Sequence, residues 1–148
     1  MKPLIVFDID GVLANIDARA AYIECENPDW DKFYNPKEVA KDLPVQPMIA
    51  IYKHFCEIAE VEIWTGRQQS TELITRQWIQ KHCGVLPSAL RMRPKDNRMT
   101  NLDLKRDFMT HAKRKPSMAF DAQPKTAELW HKRGVQVCYS IHPESKGE

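Results

Sequence analysis

Leu4-Ile5-Val6-Phe7-Asp8-Ile9-Asp10-Gly11-Val12-Leu13 is the stretch that decides how this chain is read. Four apolar residues, two of them β-branched and one aromatic, run directly into Asp8, Asp10 and Gly11. An apolar run ended by a glycine turn suits a buried parallel strand. In open α/β sheets, ligands bind outside the carboxyl ends of such strands. Two carboxylates gathered there repel each other, and a hard divalent cation with oxygen ligands is the natural neutraliser. A solvated turn with two incidental acids would need no such strand before it.

Strand-like and helix-like segments alternate from there onward. Further strands are expected at 61–64, 89–92, 118–121 and 135–139. Met48, Ile51, Tyr52, Phe55 and Ile58 recur at three- and four-residue intervals, the apolar stripe of an amphipathic helix. Other helices are expected at about 69–82, with Gly84 as its cap, and at about 101–113, opened by Thr100 or Asn101. A last one starts near Pro124 and ends before Gly134. The pattern predicts a doubly wound, Rossmann-like, mainly parallel five-stranded α/β sheet with a small insertion after the first strand. Residues 14–45 form that insertion, with seven acids, four basic residues and the aromatics Tyr22, Trp30, Phe33 and Tyr34. Aromatics argue against disorder in so long a connection, so a short, partly helical lid over the strand ends is expected. The tail from Ser145 to Glu148 is expected to fray.

Bulk properties narrow the class. The length of 148 residues fits one domain over 1–148, and 43% hydrophobic with 28% charged residues is ordinary for a globular protein. A net charge of +2 is too mild to imply nucleic-acid binding by itself. The apolar start is too short for a signal peptide or a membrane span, and a cytoplasmic location is expected. Cys25, Cys56, Cys83 and Cys138 contain no CxxC pair, so reduced thiols are expected rather than zinc ligands or a disulfide framework. His82 and Cys83 are adjacent, and neighbours on a helix point in different directions, which disfavours a nucleophile pair.

Later strands also end in chemistry. Val61–Trp64 runs into Thr65-Gly66-Arg67, where a hydroxyl, an unhindered N–H and a guanidinium make an anion cradle heading the next helix. Met118–Phe120 runs into a third acid, Asp121, and Lys105 lies on the preceding helix. Read singly, these are a cap, a turn and a solvated lysine. Together they are the inventory of aspartyl-phosphate chemistry, in which a carboxylate attacks phosphorus only when charge on both partners is neutralised. A second acid can protonate the leaving oxygen and later activate water.

These motifs resemble the haloacid dehalogenase superfamily. Phe7-Asp8-Ile9-Asp10-Gly11-Val12-Leu13 is similar to its first motif in the DxD form of the phosphatase branch, and Ile63-Trp64-Thr65-Gly66-Arg67 to its second. A narrower likeness, to the phosphatase domain of phage-type polynucleotide kinase/phosphatases, rests on Asp29-Trp30-Asp31-Lys32-Phe33, Trp64 to Arg67, Arg91-Met92-Arg93-Pro94-Lys95 and Asp121 to Trp130. The resemblance implies Asp8 as nucleophile, Asp10 as general acid/base and Lys105 as the lysine paired with Asp8 and phosphate, Lys95 being the fallback. It implies Mg²⁺ held by Asp8, the Asp10 carbonyl and Asp121, and phosphoryl binding by Thr65 and Gly66, with Arg67 holding substrate. One position departs: Ala122 stands where the family commonly has a second acid. Mg²⁺ keeps several waters, so one remaining acid can suffice.

The substrate expected is a phosphorylated nucleotide or the 3′-phosphate end of a polynucleotide. Between Arg91 and Lys115 nine basic residues face three acids, a strip that would attract phosphates. Trp30 and Tyr34 could stack a base, or simply glue the lid to the core. No GxxxxGK[ST] loop occurs, so kinase activity is not expected. The alternatives are a nucleoside 5′-monophosphatase and a non-catalytic nucleotide- or nucleic-acid-binding module with a degraded site. Homo-oligomers and a phage-encoded origin, in the host cytoplasm, stay open at this level.

Overall fold

A computed structural model describes residues 1–141. The tail segment 145–148 lies outside the described residues. Strand β1 (Leu4–Phe7) is followed by β2 (Ala14–Asn15), the short helices α1 (Asp17–Ala20), α2 (Trp30–Phe33) and α3 (Pro36–Val39), and β3 (Leu43–Pro44). Then come α4 (Gln46–Ile58), β4 (Glu60–Gln68), α5 (Glu72–Cys83), β5 (Ala89–Arg93), α6 (Asn101–His111), β6 (Met118–Asp121), α7 (Pro124–Lys132) and β7 (Gln136–Tyr139). Five strands make one sheet in the order β5-β4-β1-β6-β7, and every pairing in it is parallel. The doubly wound α/β sheet expected from the alternation is what the chain forms.

Alternation along β1 divides the core into two. Ile5 and Phe7 face Ile49 and Tyr52 of α4 and Trp78 and Ile79 of α5. Leu4 and Val6 face Trp130 of α7, with Phe108 and Met109 of α6 packed against them. Both faces are thus covered, which is why the strand reads as an unbroken apolar run. Phe7 and Phe120 stack across neighbouring strands with ring centroids 4.4 Å apart and planes 8° from parallel. Each buried side chain of this size contributes about 1.5–3 kcal/mol relative to exposure. From β1 the chain builds β4 and β5 on one side, then crosses to build β6 and β7 on the other. The order reverses at β1, so a crevice opens at its carboxyl end, where Asp8 and Asp10 stand.

Local signals set several boundaries. The Thr100 side chain caps α6 by accepting from the Asp103 N–H at 3.1 Å. Gly84 ends α5 in the left-handed region, φ +74°, as a helix-terminal glycine does. Gly11 takes φ +85° in the tight turn after Asp10, and a Cβ there would come within 2.7 Å of the Ala122 Cβ. A glycine without a Cβ facing an alanine methyl lets the first and last site loops touch.

Two expectations are corrected. The second strand does not stop at Trp64 but runs on to Gln68, and only a 3₁₀ turn (Gln69–Thr71) precedes α5. Pairing with β5 resumes at Gln68↔Arg93 after a register shift past Trp64. Cross-strand hydrogen bonds thus override the turn that Thr65-Gly66 suggests, and that segment does not head the helix. The stripe of α4 is also rotated: Ile49 and Tyr52 are buried, whereas Ile51 and Ile58 are 38% and 53% exposed. Period alone cannot say which flank of a broad apolar stripe meets the sheet.

The insertion is closed at its base by antiparallel β2 and β3, pairing Ala14 with Pro44 and Asn15 with Leu43. Asp29 and Asn35 cap α2 and α3 by accepting from Lys32 N–H (3.0 Å) and Lys37 N–H (2.9 Å). Phe33 is buried, with the Arg19 guanidinium 4.5 Å from its ring centre. The neighbouring His82 and Cys83 do not cooperate: Cys83 is buried, and its thiol is pushed up to about 12 by that burial.

Candidate active site

The crevice is a cavity of about 1030 Å³, and Asp8, Asp10, Gly66, Lys105 and Asp121 all line it. Asp8 follows β1, its N–H donating to the Phe120 carbonyl at 3.0 Å. Its Oδ1 accepts from the Ile9 N–H at 2.8 Å, which leaves Oδ2 toward Lys105. Lys105 reaches over from α6, its Nζ 3.6 Å from Asp8 Oδ2 and 3.2 Å from Asp121 Oδ2. Asp121 Oδ1 accepts the Gln123 N–H at 3.0 Å. Lys105 is 3% exposed, whereas the fallback, Lys95, is exposed and lies in the loop after β5.

Charge is unbalanced here. Burial pushes the Asp8 carboxyl up to about 7; Lys105 opposes that rise, while Asp121 and Asp10 add to it. Burial would lower the Lys105 ammonium, but Asp8 and Asp121 outweigh it and hold the pKa above its ordinary value. One lysine thus answers two buried acids. Among the described residues no three His, Cys, Asp or Glu side chains form a ready cage for a metal ion.

Asp10 is held separately. Arg67 donates to Asp10 Oδ1 from Nε at 3.0 Å and Nη2 at 2.7 Å, and Arg19 Nη2 lies 3.6 Å away. Asp42 joins both arginines: Arg19 donates to its two oxygens at 2.7 and 2.8 Å, and Arg67 to Oδ2 at 2.9 Å. Arg67 also donates to Thr75 Oγ1 at 3.2 Å. Arg67, read in the sequence as a hand on substrate, is 1% exposed and turned inward, behind the cavity wall. The Thr65 hydroxyl is likewise buried and accepts the Arg67 N–H at 3.1 Å, so of that triplet Gly66 is the residue lining the cavity.

A guanidinium that does line it is Arg93, at the end of β5. It donates to the Gly66 carbonyl at 2.9 Å, Asn97 Oδ1 at 3.2 Å, the Met99 carbonyl at 2.5 Å and Asn101 Oδ1 at 2.8 Å. These bonds clamp the Gly66 peptide to the next strand and loop. The sequence reading gave Arg19 and Asp42 no role, Arg93 only a place in a motif and a basic strip, and Asn101 only that of a candidate helix cap. Arg93 carries a signal that could have found it, because it ends a strand on the same edge as Asp8 does.

Gly66 tolerates little. A Cβ there would lie 2.5 Å from Asn101 Oδ1. Gly66→Ala is expected to cost about 1–3 kcal/mol of stability through overpacking. Displacing that peptide is expected to cut turnover roughly 10²-fold. Thermal melting and kcat measured on the same preparation check both.

The doubly wound sheet, with two acids and a lysine gathered at the end of its first strand, is the fold of haloacid dehalogenase-like proteins. More narrowly, residues 2–143 match the family described as the polynucleotide kinase PNKP phosphatase domain, and the chain belongs to it. No curated protein sequence matches. Among solved structures it is similar to a chain of the Pnkp1/Rnl/Hen1 complex, with TM-score 0.75 and 16% identity over 95% of this chain and 46% of that one. A haloacid dehalogenase-like hydrolase from Streptococcus pneumoniae gives 0.67 and 12%, covering 93% of this chain and 84% of that one. A class C acid phosphatase from Bacillus anthracis gives 0.63 and 12%, covering 97% and 68%. The chain spans less than half of the Pnkp1 complex chain it resembles. No helix among the described residues is long and apolar enough to cross a membrane.

Proposed function

We infer that the protein is a Mg²⁺-dependent phosphomonoesterase forming an aspartyl phosphate, a mixed anhydride, on Asp8, and that it acts on a nucleotide or a nucleic-acid 3′-phosphate. The observation that carries this is Lys105 Nζ held between Asp8 and Asp121 in the cavity that Gly66 and Asp10 also line. An Asp8 oxygen attacks phosphorus while the ester P–O bond breaks, and Asp10 gives its proton to the leaving oxygen. Asp10 then takes a proton from water, which attacks phosphorus and frees Asp8. Lys105, kept protonated by its two acids, offsets charge on Asp8 and on the phosphoryl group. Arg67 and Arg19 hold Asp10 in place, and Gly66 lines the cavity without a side chain to keep a phosphoryl oxygen off its backbone.

The donor set suits Mg²⁺, being hard oxygen throughout: Asp8, the Asp10 carbonyl and Asp121, with water completing the shell. The unbalanced charge around Asp8 supports that fit. When bound, the ion would neutralise the acids and the phosphoryl oxygens.

A nucleic-acid end is favoured by Arg93, Arg98 and Lys105 lining the cavity and by the likeness to Pnkp1, which was solved within an RNA repair complex. Release of phosphate from an aryl phosphate is expected with Mg²⁺ and not with EDTA. No metal-dependent release anywhere between about pH 5 and 9 would make the chain a binding module instead. Faster turnover of a 3′-phosphorylated oligonucleotide than of deoxynucleoside 5′-monophosphates is the expected preference, and the reverse would make it a nucleoside monophosphatase.

A further inference from the structure

We propose that Trp30 is a stacking platform for the nucleobase of the substrate, facing the catalytic acids across the cavity. The inference rests on the phosphatase reading above. Trp30 and Tyr34 line the same cavity as Asp8, together with the apolar Ile16 and Ile23. Phe33 lines it too, yet the two lid aromatics three residues apart differ sharply in exposure. Phe33 is 5% exposed and packed under Arg19, so it does the work of fastening lid to core. Trp30 is 52% exposed, which fastening does not require.

Its orientation is constrained nonetheless. The indole lies 5.7 Å from Phe33, edge to face at 86°, and 6.1 Å from Tyr34 at 22°, close to parallel. Asp29 caps the helix that begins with Trp30, which fixes where the side chain leaves the backbone. A large aromatic held at a set angle, half in water, beside a phosphate-sized acidic site is what an aromatic ring on a phosphorylated sugar needs. An aliphatic or carbohydrate phosphate would gain little from it. Cavity size agrees, since about 1030 Å³ is at the top of the range for small-molecule sites and leaves room beyond a phosphoryl group.

The other tryptophans make the idea measurable. Trp64, Trp78 and Trp130 are 0%, 2% and 1% exposed, so Trp30 alone among the four meets solvent. Titrating the Asp8→Asn protein with a 3′-phosphorylated mononucleotide is expected to quench its exposed tryptophan emission, and the Asp8→Asn/Trp30→Phe protein is expected to lose that quench. In the active protein, Trp30→Ala is expected to raise KM for a 3′-phosphorylated oligonucleotide roughly 5- to 150-fold, the range set by stacking one base, with kcat little changed. Trp30→Phe should recover most of the affinity. The control substrate is the same oligonucleotide with an abasic terminal sugar, whose KM Trp30→Ala should leave alone.

An equal KM rise for the abasic end, no rise for either end, or a quench that survives Trp30→Phe each overturns the platform. Failure of the parent protein to release phosphate from any of these substrates would overturn the phosphatase reading instead, while the quench still reports on Trp30. Comparing a free mononucleotide with the oligonucleotide separates the two sources of the base.

Discussion

Asp8→Asn is expected to abolish phosphate release, by about 10⁵-fold or more, as removal of an attacking nucleophile does. The fold should be indifferent to the change. The Asn carboxamide oxygen can still accept the Ile9 N–H that Asp8 Oδ1 takes at 2.8 Å. Neutralising the side chain also removes a buried charge that its surroundings resist, since burial drives the carboxyl up to about 7. What is lost is the attraction to Lys105 at 3.6 Å, and Lys105 keeps Asp121 at 3.2 Å. These terms oppose each other, so the melting free energy should stay within about 1–2 kcal/mol of the parent. Single-turnover phosphate release and thermal melting of the same sample decide the matter. Most of the activity surviving would exclude a covalent intermediate on Asp8.

Arg67→Ala should behave in the opposite sense, harming fold and chemistry together. Arg67 is buried and answers Asp10, Asp42 and Thr75 at once. Burial alone would lower its pKa, but those carboxylates outweigh the cost and hold the guanidinium charged. Removing it leaves Asp10 with Arg19 at 3.6 Å and Asp42 with one arginine instead of two. Breaking a buried pair by deleting one partner costs about 3–5 kcal/mol. In a chain of this length that is a fall of roughly 6–20 °C in melting temperature. Turnover should drop about 10²–10⁴-fold, because Asp10 loses the bonds that aim it. Arg67→Lys should rescue little, since one ammonium cannot reproduce a planar fork that spans three acceptors. A rise in KM with unchanged stability and kcat would instead place Arg67 on the substrate.

Much of this protein is legible in its sequence because the relevant forces are local. Apolar runs of strand length, an apolar stripe along α4, Thr100 before α6 and Gly84 after α5 act over a few residues, and they foretell the parallel α/β sheet. Asp8, Asp10, Lys105 and Asp121 stand out because each falls at a strand end or on the helix beside one. Other features depend on partners far along the chain. The bonds of Arg19 to Asp42, Arg67 to Asp42 and Arg67 to Asp10 span 23, 25 and 57 residues. No local pattern announces which acid an arginine will meet, so Arg67 reads as a hand on substrate when it is buried against Asp10 and Asp42. The length of β4 depends likewise on pairing with Arg93 in another strand.

By itself, then, the order of amino acids determined the layered sheet and the edge at which the acids collect, since propensity and periodicity need only neighbours. Tertiary structure decided that Phe33 is buried while Trp30, on the same cavity, stays half exposed, and that Arg93 rather than Arg67 lines it. Those outcomes follow from competition among side chains for a limited interior, a contest settled only once the sheet, the lid and the helices are packed together.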